Sequence, residues 1–322
     1  MAEIINDAIF DFSKIDNLNE YLDNKLYDII GKPKISNTKT ILILSGGGSK
    51  GLAHIGGFMA MKELNILNNI KTIAGSSAGA LMGFLYTIGY TPEELTDFVI
   101  MFDIQKIKSI DPSELLNSFG LDSGKRFSLA LSKMIEKKNL NPEITFRELY
   151  RKTGITLVIS ATCMNDKQAY YFSHKTNPNM SAALAVRMSI SFPIYFTPII
   201  HNEKMYVDGG CSDNYPIQLF IDNINSTVGL YLADSRDYVK EIRNAEDFFI
   251  NLVECLFESV NNNNIKGFEQ YTVNIKIPSV DSMDFNLNDS KKREIIAFGY
   301  SAVKKYFEKN SIYIKNVPPS AN

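Results

Sequence analysis

The 322-residue sequence has no apolar run that could cross a membrane as a helix; its best stretch, Ala80 to Tyr90, falls well short of the roughly 20 residues needed. Its opening residues, Met1-Ala2-Glu3-Ile4-Ile5-Asn6-Asp7, are acidic and lack a basic segment leading into an apolar one, which argues against a secretory signal. A cytoplasmic or peripheral membrane location is expected. Cysteine is scarce. Cys163, Cys211 and Cys255 are odd in number, widely spaced and without a CxxC pair, so neither a disulfide framework nor a zinc site is suggested. Neither sign of charge dominates: the formal net charge is −2 and the pI near 6.0, which gives no global attraction to nucleic acid. Histidine is limited to His54, His174 and His201, with none further along the chain.

The chain itself has 45% hydrophobic residues, enough for a sizeable core in one α/β domain. Residues 1–38 are polar, with Leu18, Tyr21, Leu22, Leu26, Ile29 and Ile30 at helical spacing, and read as an N-terminal helical extension and linker before a domain over 39–322. Thr40 to Leu44 is a continuous β-rich run ended by glycines, the pattern of a buried parallel strand. Ser49 to Leu67 then has helical spacing. A second short strand near Lys71 to Ala74 runs into Gly75 and a small-residue helix from Ala78. Strand, glycine turn and helix thus occur twice in succession, as in a parallel sheet covered by helices.

Residues 91–153 read as mainly helical, opened by Thr91-Pro92-Glu93-Glu94. Strands are expected at Ile155 to Ala161, Gln168 to Ser173, Ser226 to Ala233 and Tyr271 to Ile277, with a hairpin at His201 to Asp208. Helices are expected at Ser181 to Ser189, Ala245 to Val260 and Ser290 to Lys309.

Gly46-Gly47-Gly48-Ser49-Lys50-Gly51 matches GxGxxG between a strand and a helix, so a dinucleotide site must be weighed. The next strand, however, ends in Ala74-Gly75-Ser76 without the acid that would hold a ribose, and Ser49-Lys50 is the wrong order for a nucleotide P-loop. Three glycines at such a junction can instead turn several backbone N–H groups into one anion-binding pocket, an oxyanion hole, or merely allow a tight turn.

Gly75-Ser76-Ser77-Ala78-Gly79 is a GxSxG sequence in the strand-to-helix context that places the central serine on a sharp turn above a sheet. The elbow favours Ser77 as nucleophile, and Ser76 is the rival, read as a helix cap. A serine nucleophile needs a base. The usual order of serine, acid, then histidine fails here, because no histidine follows Asp208. Asp208, in Tyr206-Val207-Asp208-Gly209-Gly210, remains as a carboxylate with glycines that permit close approach, although Asp-Gly is also an ordinary hairpin turn.

Assembled in this order, the chain resembles the patatin-like phospholipase family over roughly Thr40 to Pro216. The resemblance rests on Ser45 to Gly51, on Gly75 to Gly79 and on Asp208-Gly209-Gly210, and extends to Arg187, Ser189, Phe192-Pro193, Phe196, Pro198, Asn214 and Pro216. It implies a three-layer α/β/α sandwich with a central, mainly parallel sheet. It also implies a lipid acyl hydrolase of phospholipase A, lipase or esterase type with a Ser77–Asp208 dyad and oxyanion donors from Gly46, Gly47 and Gly48. Ser49, Lys50, Gly51, Gly75, Gly79, Gly209 and Gly210 would support the motifs, and no metal or other cofactor would be needed. Lys50 stands where the family commonly has arginine, which keeps the charge and loses the planar fork.

The expected partner is a phospholipid or other acyl lipid, with an access cleft that draws on Leu52, Phe58, Phe84, Phe192, Tyr195 and Phe196, unless these simply pack the core. An acyltransferase or thioesterase would use the same dyad, and a nucleotide-binding protein would use the 46–51 loop alone. The lysines of the C-terminal helix, Lys291, Lys292, Lys304 and Lys305, could dock it on anionic lipid, but its apolar stripe reads first as packing on the domain. Asn/Ile/Lys-rich usage is that of an AT-rich genome, bacterial or viral, and is compatible with an exported effector.

Overall fold

The computed structural model of the protein describes residues 38–310, apart from 103–107, 112, 235–241, 243–247, 249–250, 258–259, 261–264, 279, 281–283 and 285. The helical extension expected before residue 38 lies outside the described residues, as do 245–247, 249–250 and 258–259 of the helix expected at Ala245 to Val260; the rest of that stretch is helical.

Among the described residues the largest sheet has eight strands. Its parallel part runs in the order β10 (Thr272–Ile277), β9 (Thr227–Asp234), β1 (Ile41–Leu44), β2 (Thr72–Ser76) and β4 (Thr156–Cys163). Beyond β4 the sheet turns antiparallel: β5 (Gln168–Ser173) lies on one edge of β4, and β8 (Lys204–Asp208) with β7 (Ile199–His201) on the other. The sheet is mixed, mainly parallel, and flanked by helices, as the sequence pattern implied. β1 is fully buried, which is why its sequence is apolar throughout rather than alternating.

Two helices follow the first two strands, α1 (Leu52–Glu63) and α2 (Ala78–Thr87). α2 lies on the face of the sheet that carries Leu44, Ile73 and Leu157, with Gly83 against all three. α1 and the long C-terminal α8 (Asp289–Lys309) pack on the same face, where Gly57 of α1 meets Leu230 and Val303. The opposite face, with Gly229 and Tyr231, is covered by Tyr215 and the three-ten helical segment Pro216–Ser226.

The stretch 91–153 holds α3 (Pro92–Met101), α4 (Glu114–Ser118), α5 (Lys125–Lys137) and α6 (Phe146–Thr153). α3 and α6 open with complete capping boxes, Thr91 with Glu94 and Thr145 with Glu148. The helical expectation missed one element here. β3 (Gly120–Asp122) pairs with β6 (Ile194–Phe196), and a three-residue strand whose partner lies far along the chain has no local signature. α7 (Ala182–Ser189) packs on β4 and β8.

Candidate active site

The site forms where two strands meet end to end. β5 occupies one edge of β4 from Val158 to Cys163, so β2 and β8 share the other edge. β2 runs parallel to β4 and ends with Ser76 opposite Ser160; β8 runs the other way and ends with Asp208 opposite Ala161. The two C-terminal ends therefore point at one another across a single step of β4. This register brings Ser77 and Asp208 together across 131 residues of sequence.

Ser77 is the hinge between β2 and α2, with φ 49° and ψ −122°, a conformation that costs a non-glycine residue energy and is held by its surroundings. Its N–H donates to Ser189 Oγ at 2.9 Å. The turn is sharp enough that a Cβ on Gly75 would sit 2.6 Å from the carbonyl carbon of Gly79, and one on Gly79 would strike the Leu44 carbonyl. Only hydrogen fits at either place, which explains both glycines of the elbow.

Ser77 Oγ donates to Asp208 Oδ2 at 2.7 Å, and the Gly210 N–H donates to Asp208 Oδ1 at 2.8 Å. The carboxylate is 1% exposed. Burial pushes its pKa from 3.8 up to about 7, against the opposing pull of the Ser77 and Gly210 hydrogen bonds. Its backbone is fixed as well, the N–H to Ser191 O at 2.9 Å and the carbonyl accepting from Thr162 Oγ1 at 2.8 Å. Gly209 is packed so closely on Ser76 and Ser160 that a side chain there would strike both hydroxyls.

The glycine loop lies beside Ser77: a Cβ on Gly46 would come within 3.0 Å of the Ser77 Cβ. The Gly46 N–H donates to the Asn214 carbonyl at 3.1 Å, so it is already committed. Gly47 accepts from the Lys50 N–H at 3.0 Å, and Gly48, with φ 55°, starts the three-ten turn Gly48–Gly51. Ser49 and Lys50 are buried in that turn, and Gly51 abuts Ala78 at the head of α2.

Ser76 is not the helix cap expected of it. It closes β2, and its hydroxyl is buried without a hydrogen-bond partner. The histidines are engaged elsewhere. His54 is fully buried in α1 and donates from Nε2 to the Ser45 carbonyl at 2.9 Å, and burial holds its pKa down at about 4. His174 stacks on Tyr150 with ring centroids 3.9 Å apart, and His201 ends β7 in the hairpin.

Arg187 is 4% exposed and gathers the segment around β6: it donates to Ser191 Oγ at 2.6 Å and to the carbonyls of Ser123 and Thr197 at 3.1 and 3.3 Å. Loss of solvation lowers its pKa to about 10, partly offset by Asp122.

A cavity of about 390 Å³ opens next to the elbow, bounded by Gly48 and Ala78 at one end and running between α2, α3 and α5. Leu81, Leu85, Leu95, Phe98 and Leu131 are among its walls. Of the aromatic and aliphatic residues expected at an access cleft, Leu52 lines this slot, whereas Phe58 and Phe84 are wholly buried in the main core. Phe192, Tyr195 and Phe196 form a separate cluster with Val253 and Phe257. The slot could not be read from the sequence because α3 and α5 carry no motif that marks their inner faces.

Residues 42–221 match the family model described as patatin-like phospholipase, over half of the chain. The chain belongs to that family. It is 31% identical over 302 residues, 88% of this chain and 97% of the other, to an uncharacterised protein, R571, of Acanthamoeba polyphaga mimivirus. It is 32% identical over 198 residues to probable lipid hydrolase 463L of invertebrate iridescent virus 6, covering 61% of this chain and 67% of that one. In fold it is similar to VipD of Legionella pneumophila, with a TM-score of 0.59 at 16% identity over 85% of this chain and 67% of that one.

Proposed function

We propose that this patatin-like protein is a lipid acyl hydrolase that cleaves fatty-acyl esters by a Ser77–Asp208 dyad. The observation that carries the reading is the 2.7 Å hydrogen bond from a strained serine, next in sequence to the slot-lining Ala78, to a buried carboxylate whose pKa lies near neutrality. Family membership and the likeness to a probable lipid hydrolase support the lipid class.

In the proposed reaction Ser77 Oγ attacks the ester carbonyl carbon as its proton passes to Asp208 Oδ2. The carbonyl oxygen becomes an oxyanion. Gly47 and Gly48 offer it their N–H groups, Gly46 being bonded to Asn214. Collapse of this intermediate breaks the bond to the alcohol, which takes the proton from Asp208 and leaves an acyl-Ser77 ester. Water then attacks that ester with Asp208 again accepting the proton, and the fatty acid departs as Ser77 recovers its hydrogen. The apolar slot holds the acyl chain through these steps, since 390 Å³ lies within the range of pockets for small ligands, about 300–1,000 Å³. A base with pKa near the working pH has the best compromise between being ionised and being basic.

The purified protein should hydrolyse p-nitrophenyl acyl esters, and Ser77→Ala and Asp208→Ala should each lower kcat by about 10³-fold or more. Full activity in either variant overturns the dyad.

A further inference from the structure

Among the described residues that line the slot, Lys292 is the one ionisable side chain, and the dyad chemistry makes no use of it. Its place is fixed by the packing of three helices. Glu93 and Glu94, at the start of α3, pair with Lys62 near the far end of α1 and with Lys138 just past α5, at 2.8 and 2.7 Å. α3 therefore begins at the end of the slot remote from the glycine loop and runs back toward it. The remote end is closed by Leu85, Leu95, Leu131 and Met134, all buried, with the Tyr90 hydroxyl bonded to the Met134 carbonyl at 3.0 Å. Phe102, the residue after α3, lies at the open end, and its carbonyl accepts from Lys292 Nζ at 3.2 Å.

α8 leads to the same place. Its Gly299 packs on Ala53 and its Tyr300 and Lys304 bond Glu63, so α8 follows α1 and Lys292, two turns before Gly299, projects past the start of α1. Lys292 thus stands at the rim with Gly48, Ser49 and Asn286. Its side chain is only 15% exposed, and among the described residues the carboxylate paired with it, Asp289, is 3.8 Å away and itself 66% exposed. An ammonium withdrawn this far from water with so little countercharge gains by taking an anion.

We infer that Lys292 binds the phosphate of a phospholipid headgroup while the slot holds an acyl chain. In a glycerophospholipid the phosphodiester is only a few bonds from the scissile ester, so a rim cation beside the elbow is where such a phosphate would lie. The inference rests on the hydrolase reading for its substrate, and it makes Lys292 a specificity-determining residue.

The first test compares phosphatidylglycerol with diacylglycerol of the same chains in mixed micelles. Lys292→Met should lower the ratio of kcat/KM for phosphatidylglycerol to that for diacylglycerol by tenfold or more, chiefly through KM, and Lys292→Arg should restore most of it. An unchanged ratio, including an equal fall on both lipids, overturns the inference and leaves Lys292 as a tie to the end of α3. The second test reads binding in Ser77→Ala protein, by displacement of a fluorescent fatty-acid analogue. Dodecyl phosphate should bind at least tenfold more tightly than dodecanol, and Lys292→Met should erase that advantage. Equal binding of the two overturns the inference, as does displacement by inorganic phosphate alone, which would mark a free-anion site. If neither lipid is cleaved while the Lys292-dependent advantage of dodecyl phosphate persists, the hydrolase reading fails and the phosphate site stands.

Discussion

Asp208 is both the proposed base and a buried charge, and its raised pKa has consequences for rate and for stability. As a base it must be ionised, so kcat/KM for a soluble ester should fall as pH drops through about 7 and level off above it. A pH–rate profile flat from 5 to 8 would remove Asp208 from the role. Between about pH 4 and 7 the folded protein keeps a proton that the unfolded chain, with its carboxyl at the ordinary 3.8, has released. Raising the pH through that window therefore costs stability, on the order of 4 kcal/mol in all. Asp208→Asn cannot ionise and should have a higher Tm than the parent at pH 8, with the difference shrinking toward pH 4, while its esterase activity is lost. At this scale Ser77 and Asp208 were legible because each sits in a short motif with a local backbone reason. The commitment of Gly46 to Asn214, the Ser189 contact and the partnerless Ser76 hydroxyl were not, since each depends on residues brought in by the sheet.

The elbow between β2 and α2 is an element-scale device, because the strand end and the helix start touch backbone to backbone. Gly79→Ala would push a methyl into the Leu44 carbonyl and should lower stability by about 1–3 kcal/mol, read as a drop in urea midpoint, with a parallel loss of esterase activity as Ser77 shifts. A variant as stable and active as the parent would mean that the elbow is looser than its packing implies. Elements with strong local chemistry were the readable ones. The apolar runs at β1, β9 and β10 and the Thr-Pro-Glu-Glu start of α3 each matched their expectation to within a residue or two. The pairing of β3 with β6 and the arrangement of α3 and α5 around the slot arise only when distant segments meet.

Across the whole molecule, the charge and apolar stripe of α8 illustrate how a helix can advertise a surface it does not have. Ile295, Ile296, Val303 and Phe307 are buried against the domain, and Lys304 is paired with Glu63 at 2.8 Å. Replacing Lys304 and Lys305 by Gln should therefore leave sedimentation with phosphatidylglycerol vesicles unchanged; a clear loss would show that α8 carries membrane contact. No helix among the described residues is long and apolar enough to cross a membrane. The parallel core of the sheet was legible from its strand-helix alternation, but its antiparallel end was not, because nothing in β8 announces that it will meet β2 head on. That meeting sets a time order for a growing chain. Ser77 leaves the ribosome long before Asp208, and the two can bond only after β8 has docked on β4, so an unfinished product has its serine but not the proposed base. During refolding, esterase activity should return no earlier than that long-range closure, which makes it a late clock for assembly of the sheet. Under the proposed dyad, incomplete chains would be unable to cleave lipid.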